Sequence, residues 1–203
     1  MITPRPYLSW SSMDLFERSI EKWKEVYLYG LKLRVNRGMA FGKQMAEGLE
    51  HEEATGDAVL DLLMERLPKF EIMDQPVECL LKNGKNPIPI LIKPDTMKAD
   101  GTAFKEYKTG QEPWTRKRVD ESGQITFYAT GLFLKTGKIP TDIELVHIQT
   151  EKQLNGSLEG KIGATGAINR HPTARNMAQV LNMMVRMKRA WEGIQKITTE
   201  EIL

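Results

Sequence analysis

The spacing of hydrophobic residues in the first third of the chain is helical. In residues 11–29, apolar and aromatic side chains recur on one stripe behind serines suited to N-capping, which predicts an amphipathic helix. Two more helices are predicted at about residues 39–53 and 57–67, because Thr55 and Gly56 separate them and Pro68 ends the second. We therefore expect three helices before the first strand.

The middle of the chain changes to strand-like segments joined by turn signals. Residues 71–81 and 88–92 flank Asn83-Gly84, a strong hairpin signal, and predict two paired strands. A second signal, Asp100-Gly101, comes after residues 96–98 and precedes a further strand-like segment that ends at Lys108. We expect these segments to form a three-stranded antiparallel meander.

The last third of the chain begins with a polar loop and then returns to helical spacing. Apolar residues between 125 and 133 predict a helix, which Gly137 and Pro140 should end. Two strands and a long C-terminal helix are predicted at residues 143–150, 161–168 and 173–191. This order of elements predicts an α/β or α+β fold with a mixed central β-sheet flanked by helices.

Composition limits the class of protein. The 203 residues suit a single domain over residues 1–203, and 40% hydrophobic with 28% charged residues is usual for a globular protein. No apolar run approaches the roughly 18 to 20 residues that span a bilayer. The first residues lack the order of a signal peptide, so we expect no membrane association and a cytoplasmic location. The net charge of only +2 means that a polyanionic partner must be held by a local patch.

The turn at Asp100-Gly101 brings two acids together. If it is a two-residue turn, paired positions sum to 201, and Asp95 lies directly opposite Glu106. Opposed Cβ atoms are about 4.5 to 5.5 Å apart, and like charges so placed are destabilising. A divalent cation such as Mg²⁺, which prefers oxygen ligands, would neutralise them. Lys108 lies two residues after Glu106 and so shares its face of the strand.

Such a group of side chains suits the hydrolysis of phosphodiesters. Two carboxylates can hold a metal ion that lowers the pKa of a bound water. The neighbouring lysine can orient that water or neutralise charge that develops on a phosphate.

These residues resemble a known family. Pro94-Asp95, ten intervening residues and then Glu106-Tyr107-Lys108 form the pattern of the PD-(D/E)XK nuclease superfamily. Gln124-Ile-Thr-Phe-Tyr128 resembles the QxxxY helix motif of its RecB-like branch, to which phage exonucleases belong, and Leu8-Ser-Trp-Ser-Ser12 resembles the opening segment of that branch. The resemblance runs from about residue 8 to residue 150.

The resemblance implies a restriction-endonuclease-like core and an activity. The chain would be a Mg²⁺- or Mn²⁺-dependent deoxyribonuclease, an exonuclease in DNA recombination or repair. Asp95, Glu106 and the main-chain carbonyl of Tyr107 would hold the metal, and Lys108 would position the attacking water. Gln124 and Tyr128 would shape the substrate side. Expected partners are DNA, recombination or replication proteins, and further copies of the chain, as in ring-forming phage relatives.

The chain departs from the family in the helix before the meander. Ala46 occupies the position where many RecB-like members place a metal-binding histidine, so Glu47 or Glu50 must supply that ligand if the role survives. We favour Glu47, although both glutamates also suit a solvated helix face. The departure motivates a competing hypothesis, a nucleic-acid-binding module that has lost cleavage. Because Cys79 is the single cysteine, an iron–sulfur cluster is excluded.

Several basic and aromatic residues are candidate DNA contacts. Arg116, Lys117 and Arg118 lie between the ExK strand and the QxxxY helix, Trp114 beside them could stack on a base, and Arg175 lies near the start of the last helix. Solvated surface and loop packing are the alternative interpretations for these residues.

Overall fold

A mixed β-sheet with helices on both faces forms the centre of the protein. The computed structural model describes residues 5–32, 36–51, 53–153 and 161–202. The helices are α1 (Trp10–Arg18), α2 (Ile20–Trp23), α3 (Arg37–His51), α4 (Ala58–Arg66), α5 (Arg116–Asp120), α6 (Gly123–Thr136) and α7 (Met177–Ile202). The strands are β1 (Ile72–Met73), β2 (Val77–Leu81), β3 (Ile88–Ile92), β4 (Thr96–Met97), β5 (Ala103–Gly110), β6 (Asp142–Gln153) and β7 (Lys161–Thr173). The predicted fold class is confirmed.

The main sheet has the strand order β1-β4-β5-β6-β7, in which β5 and β6 are parallel and the other pairs antiparallel. Thr96 pairs with Lys105 and Met97 with Phe104, which confirms the predicted register. The turn itself is longer than two residues, because the last ladder bond joins the Lys98 amide to the Ala103 carbonyl. Gly101 supports this turn with a positive φ of 70°.

The predicted hairpin across Asn83-Gly84 forms, but the three-stranded meander is wrong. β2 and β3 make a separate two-stranded sheet, in which Val77 pairs with Ile92 and Leu81 with Ile88. The segment between β3 and β4 contains Pro94, which has no amide hydrogen to donate to a ladder. The middle strand is therefore divided between two sheets.

The predicted N-terminal helix is also divided. Ser19 is extended, with φ −164° and ψ 107°, and its hydroxyl accepts a hydrogen bond from the Lys22 amide at the start of α2. A π-helical turn, Lys24–Leu28, follows α2. The Trp23 indole donates to the Ser12 hydroxyl at 2.9 Å, so a contact between the two pieces stabilises the break.

The other elements follow the predictions with shifted ends. The helices predicted at 39–53 and 57–67 are α3 and α4, and Gly137 caps α6 in the left-handed conformation. The polar loop after β5 contains an unpredicted short helix, α5, which the Thr115 hydroxyl caps. β7 and α7 both run further along the chain than predicted.

Each face of the main sheet contributes to a hydrophobic cluster. Phe104 and Ile143 pack with residues of α1, α6 and α7 and of the small sheet, whereas Tyr107, Val146 and Ile148 pack with α3 and α4. In the parts of the chain that the structure describes, no helix combines the length and apolarity needed to cross a membrane.

Candidate active site

The side chains of β5 alternate between these two faces. Glu106 and Lys108 lie on the side of α6, whereas Tyr107 points to the other side and donates its hydroxyl hydrogen to the Pro68 carbonyl at 2.9 Å. Glu106 is 3% exposed, although carboxylates are rarely buried without a partner. β5 therefore places a carboxylate inside the protein beside α6.

The two oxygens of Glu106 have different surroundings. Oε1 accepts hydrogen bonds from Lys108 Nζ at 2.7 Å and from Gln124 Nε2 at 2.6 Å. Oε2 is buried and has no hydrogen-bond partner among the described residues. A buried oxygen of this kind is costly to leave unpaired, so it is a candidate position for a ligand that the side chains do not supply.

Asp95 lies across from Glu106, at the end of the kinked segment before β4. Its Oδ2 accepts a hydrogen bond from the Tyr107 amide at 2.5 Å. Desolvation, and then the nearby Glu106 charge, raise the pKa of Asp95 well above its usual range, although Lys108 and the Tyr107 amide act against them. The Glu106 carboxylate therefore destabilises the charged form of Asp95, as the register predicted.

Lys108 is the compensating cation. Burial alone would lower the pKa of its ammonium, but the Glu106 and Asp95 carboxylates and the hydrogen bond to Glu106 outweigh burial and raise that pKa. The side chain retains 32% of its exposure, so it reaches from the buried carboxylate towards solvent. Lys108 is thus a cation and a hydrogen-bond donor at neutral pH.

Gln124 and Tyr128 lie one turn apart on α6 and complete this group. Gln124 Nε2 donates to the Tyr128 hydroxyl at 3.0 Å as well as to Glu106. Tyr128 packs edge-on against Phe104, and burial followed by the Glu106 charge raises the pKa of its phenol, which stays neutral. Within the described ranges the Gln124 carbonyl oxygen makes no hydrogen bond.

Asp74 is a further acid of this region that the sequence analysis missed. It follows β1 in the left-handed conformation, with φ 46°, which is uncommon for a residue other than glycine. Its amide donates to the Asp95 carbonyl at 2.9 Å, and its Oδ2 accepts from Lys93 Nζ at 2.5 Å. Asp74 thereby contacts the residues on both sides of Pro94, the backbone of Asp95 and the side chain of Lys93. The only sequence signal was a polar residue inside a segment predicted as a continuous strand.

The structure corrects the predicted ligand from α3. Glu47 and Glu50 are exposed, and Glu47 pairs with Lys43 at 3.1 Å. The buried face of α3 carries Phe41, Met45 and Gly48 instead. Neither glutamate joins Asp95 and Glu106, and the described part of the chain contains no group of three or more His, Cys, Asp or Glu side chains that could hold a metal ion.

Asp95 and Glu106 nevertheless fit a divalent cation as a pair. Both supply carboxylate oxygens, the ligands that Mg²⁺ and Mn²⁺ prefer. The buried, unpartnered Oε2 of Glu106 and the raised pKa of Asp95 are what a site built to receive a positive charge would have in its absence.

A cleft of about 500 Å³ begins at Lys108. Trp114, Arg118 and Thr150 are among the residues that line it. The Arg118 guanidinium stacks over the Trp114 ring, 3.9 Å from its centroid. The structure therefore brings Trp114 and Arg118, two of the predicted DNA contacts, to the same cleft as Lys108.

The neighbouring basic residues are placed differently. Arg116 is exposed, pairs with Asp120 at 2.8 Å and donates to the Pro172 carbonyl at 2.5 Å. Lys117 is exposed and lies 3.9 Å from the Glu121 carboxylate. Both are on the outer surface of α5 and neither lines the cleft.

The expected role of Arg175 in phosphate binding is corrected by its burial. The side chain is 6% exposed and donates to the Val119 and Ser122 carbonyls and to the Thr126 hydroxyl. It also donates to Thr173 and to the Ala174 carbonyl. Arg175 therefore ties the start of α7 to the junction of α5 and α6.

His147 is a second residue near the cleft that the sequence analysis did not assign. It is fully buried on β6, its Nε2 lies 3.1 Å from the Gly110 carbonyl, and its Nδ1 has no partner among the described residues. Burial lowers the pKa of its imidazole and outweighs the hydrogen bond with the Gly110 carbonyl, which acts in the opposite direction. His147 is therefore a neutral, buried side chain of β6 that contacts the end of β5.

Comparison with known proteins bears on the fold. No family model matches the chain, and no curated protein matches it in sequence. Among solved structures it is similar to that of a putative exonuclease from Eubacterium rectale, with a TM-score of 0.58 and 12% identity over 97% of this chain and 82% of that chain. The crystal structure of SSO0001 has a TM-score of 0.48 and 13% identity over 93% of this chain and 78% of that chain. The first similarity supports a shared fold, whereas the second is too weak to support one.

Proposed function

We propose that the protein is a Mg²⁺- or Mn²⁺-dependent deoxyribonuclease of the RecB-like PD-(D/E)XK type. The observation that carries the proposal is the convergence of Asp95, Glu106 and Lys108, with an unpartnered oxygen of Glu106 beside them. Fold similarity to a protein described as a putative exonuclease agrees with this function. By the resemblance of its motifs, the protein would be a phage-like exonuclease of DNA recombination or repair. It would then act in the cytoplasm and assemble with further copies of itself.

Asp95 and Glu106 would hold the metal, together with the main-chain carbonyl of Tyr107. Asp95 is oriented by the Tyr107 amide and Glu106 by Lys108 and Gln124, so both carboxylates are fixed before a ligand arrives. When bound, the ion would supply Lewis acidity towards the phosphate and lower the pKa of a water ligand.

Lys108 would act as a charged donor rather than as a general base. The carboxylates raise the pKa of its ammonium, so it does not accept a proton at neutral pH. Its hydrogen bond to Glu106 fixes one of its three N–H groups, and the other two are free to orient a water molecule or a phosphate oxygen. Charge developing on the phosphate would be stabilised at this atom.

Gln124 would link the carboxylate group to the substrate. Its two amide hydrogens are used by Glu106 and Tyr128, which fixes the orientation of its free carbonyl oxygen. Loss of this residue would remove one hydrogen bond from Glu106, which would keep its bond to Lys108, and one from the Tyr128 hydroxyl. Gln124 and Tyr128 are therefore positioning residues in the proposed mechanism.

DNA would enter along the cleft at Lys108. Arg118 supplies a positive charge, and the Trp114 ring beneath it supplies an apolar face on which a base or sugar can pack. The positive side chains that line this cleft are Lys108 and Arg118, beside one acid, Glu112. DNA would therefore be held by a small local patch, which agrees with a net charge of only +2.

The competing function is nucleic-acid binding without cleavage. It is favoured by the exposed position of Glu47 and Glu50, which leaves the carboxylate pair without the ligand expected from α3. Both functions require DNA binding at the cleft, but hydrolysis of DNA separates them.

The direct test is incubation of the purified protein with end-labelled linear DNA and with closed circular DNA in Mg²⁺, Mn²⁺ or EDTA. We expect metal-dependent loss of the linear DNA, and a Lys108→Ala variant should reduce the rate at least ~100-fold. Lys196→Ala removes an exposed lysine of α7 and should leave the rate unchanged.

The outcomes of this assay are distinct. Degradation of linear DNA alone indicates an exonuclease, and nicked circles indicate an endonuclease. DNA that binds but stays intact with every metal supports the binding module and contradicts the nuclease.

A further inference from the structure

A second cleft lies away from the carboxylate pair, between the end of β2, the end of α6 and the side of α7. Its volume is about 490 Å³. The lining is mostly apolar and includes Leu80, Phe133, Leu181 and Val185. We call it the α7 groove.

Three large apolar side chains of the α7 groove are exposed to solvent. Leu80 is 58% exposed, Leu181 52% and Val185 47%. Leu181, Met184 and Val185 are spaced i, i+3 and i+4, so they form one stripe along α7. An exposed group of large apolar residues on one surface marks an interaction site more often than scattered single residues do.

The opposite face of α7 already provides its contact with the core. Val180, Met183 and Met187 are buried there, so the helix does not need the exposed stripe for its own packing. Within the described ranges, Leu181 and Val185 of this stripe therefore stay exposed as a second apolar face, whereas Met184 between them also packs against the core.

The charges of the α7 groove select the kind of partner. Lys82 and Lys188 are its two charged lining residues, and no acidic residue lines it. Within the described ranges, neither lysine forms an ion pair. A symmetric contact between two copies would bring these lysines towards a second positive groove, which is unfavourable.

We propose that the α7 groove binds an acidic amphipathic helix of another protein. Apolar residues of that helix at positions i, i+3, i+4 and i+7 would pack against Leu181 and Val185, and its flanking carboxylates would pair with Lys82 and Lys188. The proposal does not depend on the nuclease function, because the groove and the carboxylate pair share no lining residue.

Fluorescence anisotropy with a labelled synthetic helix tests this proposal. The probe has about 18 residues, roughly five helical turns, with leucine at the apolar positions and glutamate elsewhere. A twin peptide carries lysine in place of each glutamate. We expect the acidic peptide to bind at least ~10-fold more tightly than its basic twin.

Variants of the groove test where the peptide binds and whether its charge preference can be reversed. Leu181→Glu and Val185→Glu should each weaken binding of the acidic peptide at least ~10-fold, because they place a carboxylate in the groove. The double variant Lys82→Glu with Lys188→Glu should bind the basic peptide in preference. Leu62→Glu, at a leucine of α4 that is 63% exposed, should change neither affinity. Circular dichroism checks that each variant is folded.

Three results would overturn the proposal. They are failure of the acidic peptide to bind, binding that Leu181→Glu and Val185→Glu leave unchanged, and a groove occupied by a second copy. The last is measured by light scattering, as self-association that Val185→Glu abolishes.

Discussion

At the scale of single residues, the candidate site is defined by charges that oppose one another. Asp95 and Glu106 are close, Glu106 is buried, and a single ammonium compensates them. Such an arrangement lowers stability, since desolvated like charges disfavour folding. It is also the feature that makes a bound cation favourable.

Asp95→Asn should therefore stabilise the protein in EDTA. The amide oxygen can still accept the hydrogen bond from Tyr107, while the charge that opposes Glu106 is removed. At about pH 8 we expect the free energy of unfolding to rise by about 1 kcal/mol, measured by urea denaturation. Asp100→Asn is a matched control that should lower the free energy of unfolding, because hydrogen bonds from Thr102 lower the pKa of Asp100 and stabilise its carboxylate. A destabilised Asp95→Asn protein would contradict this reasoning.

His147 should make stability depend on pH. Burial lowers the pKa of its imidazole in the folded protein, so the unfolded chain binds a proton more readily. The free energy of unfolding should fall as pH drops below the unfolded pKa of about 6.5, by at most about 1.4 kcal/mol per pH unit from this group.

The measurement is urea denaturation at about pH 8 and about pH 5 for the wild type and His147→Gln, two values on either side of that pKa. The variant should lose less stability than the wild type between the two. His51→Gln changes an exposed histidine and should behave as the wild type. Equal losses in wild type and His147→Gln would contradict the role of this residue.

At the scale of secondary structure, local sequence signals predicted the strands and helices correctly where tertiary packing favoured the same structure. The register of β4 and β5 followed from a turn signal and strand alternation, and these two features predicted that Asp95, Glu106 and Lys108 lie close together. The end of α6 followed from Gly137, which adopts the left-handed conformation that a helix cap requires.

The predictions failed where distant contacts decide the backbone. The break at Ser19 is supported by the bond between Trp23 and Ser12, and the kink at Pro94 by the hydrogen bond that the Asp74 amide donates to the Asp95 carbonyl. Neither partner could be identified from periodicity. Arg175 gave no sequence signal of burial either, because its interior position depends on carbonyls of the α5–α6 junction.

Arg175 should stabilise the folded protein rather than bind DNA. Arg175→Ala leaves the Val119 and Ser122 carbonyls without their guanidinium donor and opens a space between α5, α6 and α7. We expect a loss of about 2 to 4 kcal/mol in the free energy of unfolding. Lys117→Ala, on the outer surface of α5, should change it by less than about 0.5 kcal/mol. Unchanged stability with weakened DNA binding would restore the phosphate-contact interpretation of Arg175.

At the scale of the whole molecule, DNA binding must rest on a small area, because the net charge is only +2. The stacked pair of Trp114 and Arg118 is the part of that area next to Lys108. Trp114→Ala, made in the Lys108→Ala background to prevent cleavage, should weaken binding of single-stranded DNA by about 1 to 3 kcal/mol. Anisotropy titrations measure this, with Trp191→Ala on α7 as the control. Equal affinities of the Trp114 and Trp191 variants would show that Trp114 does not contribute to DNA binding, and would contradict the assignment of the cleft as the DNA-binding surface.

The central claim is that Asp95 and Glu106 together hold a divalent cation. Calorimetric titration of Mn²⁺ into the protein tests it most directly, and the same samples are heated to measure stabilisation by the metal. We expect Mn²⁺ binding and a raised melting temperature for the wild type and for Glu47→Gln, and neither effect for Asp95→Asn or Glu106→Gln. Mn²⁺ binding that survives in both Asp95→Asn and Glu106→Gln, or no Mn²⁺ binding by the wild type, would contradict it.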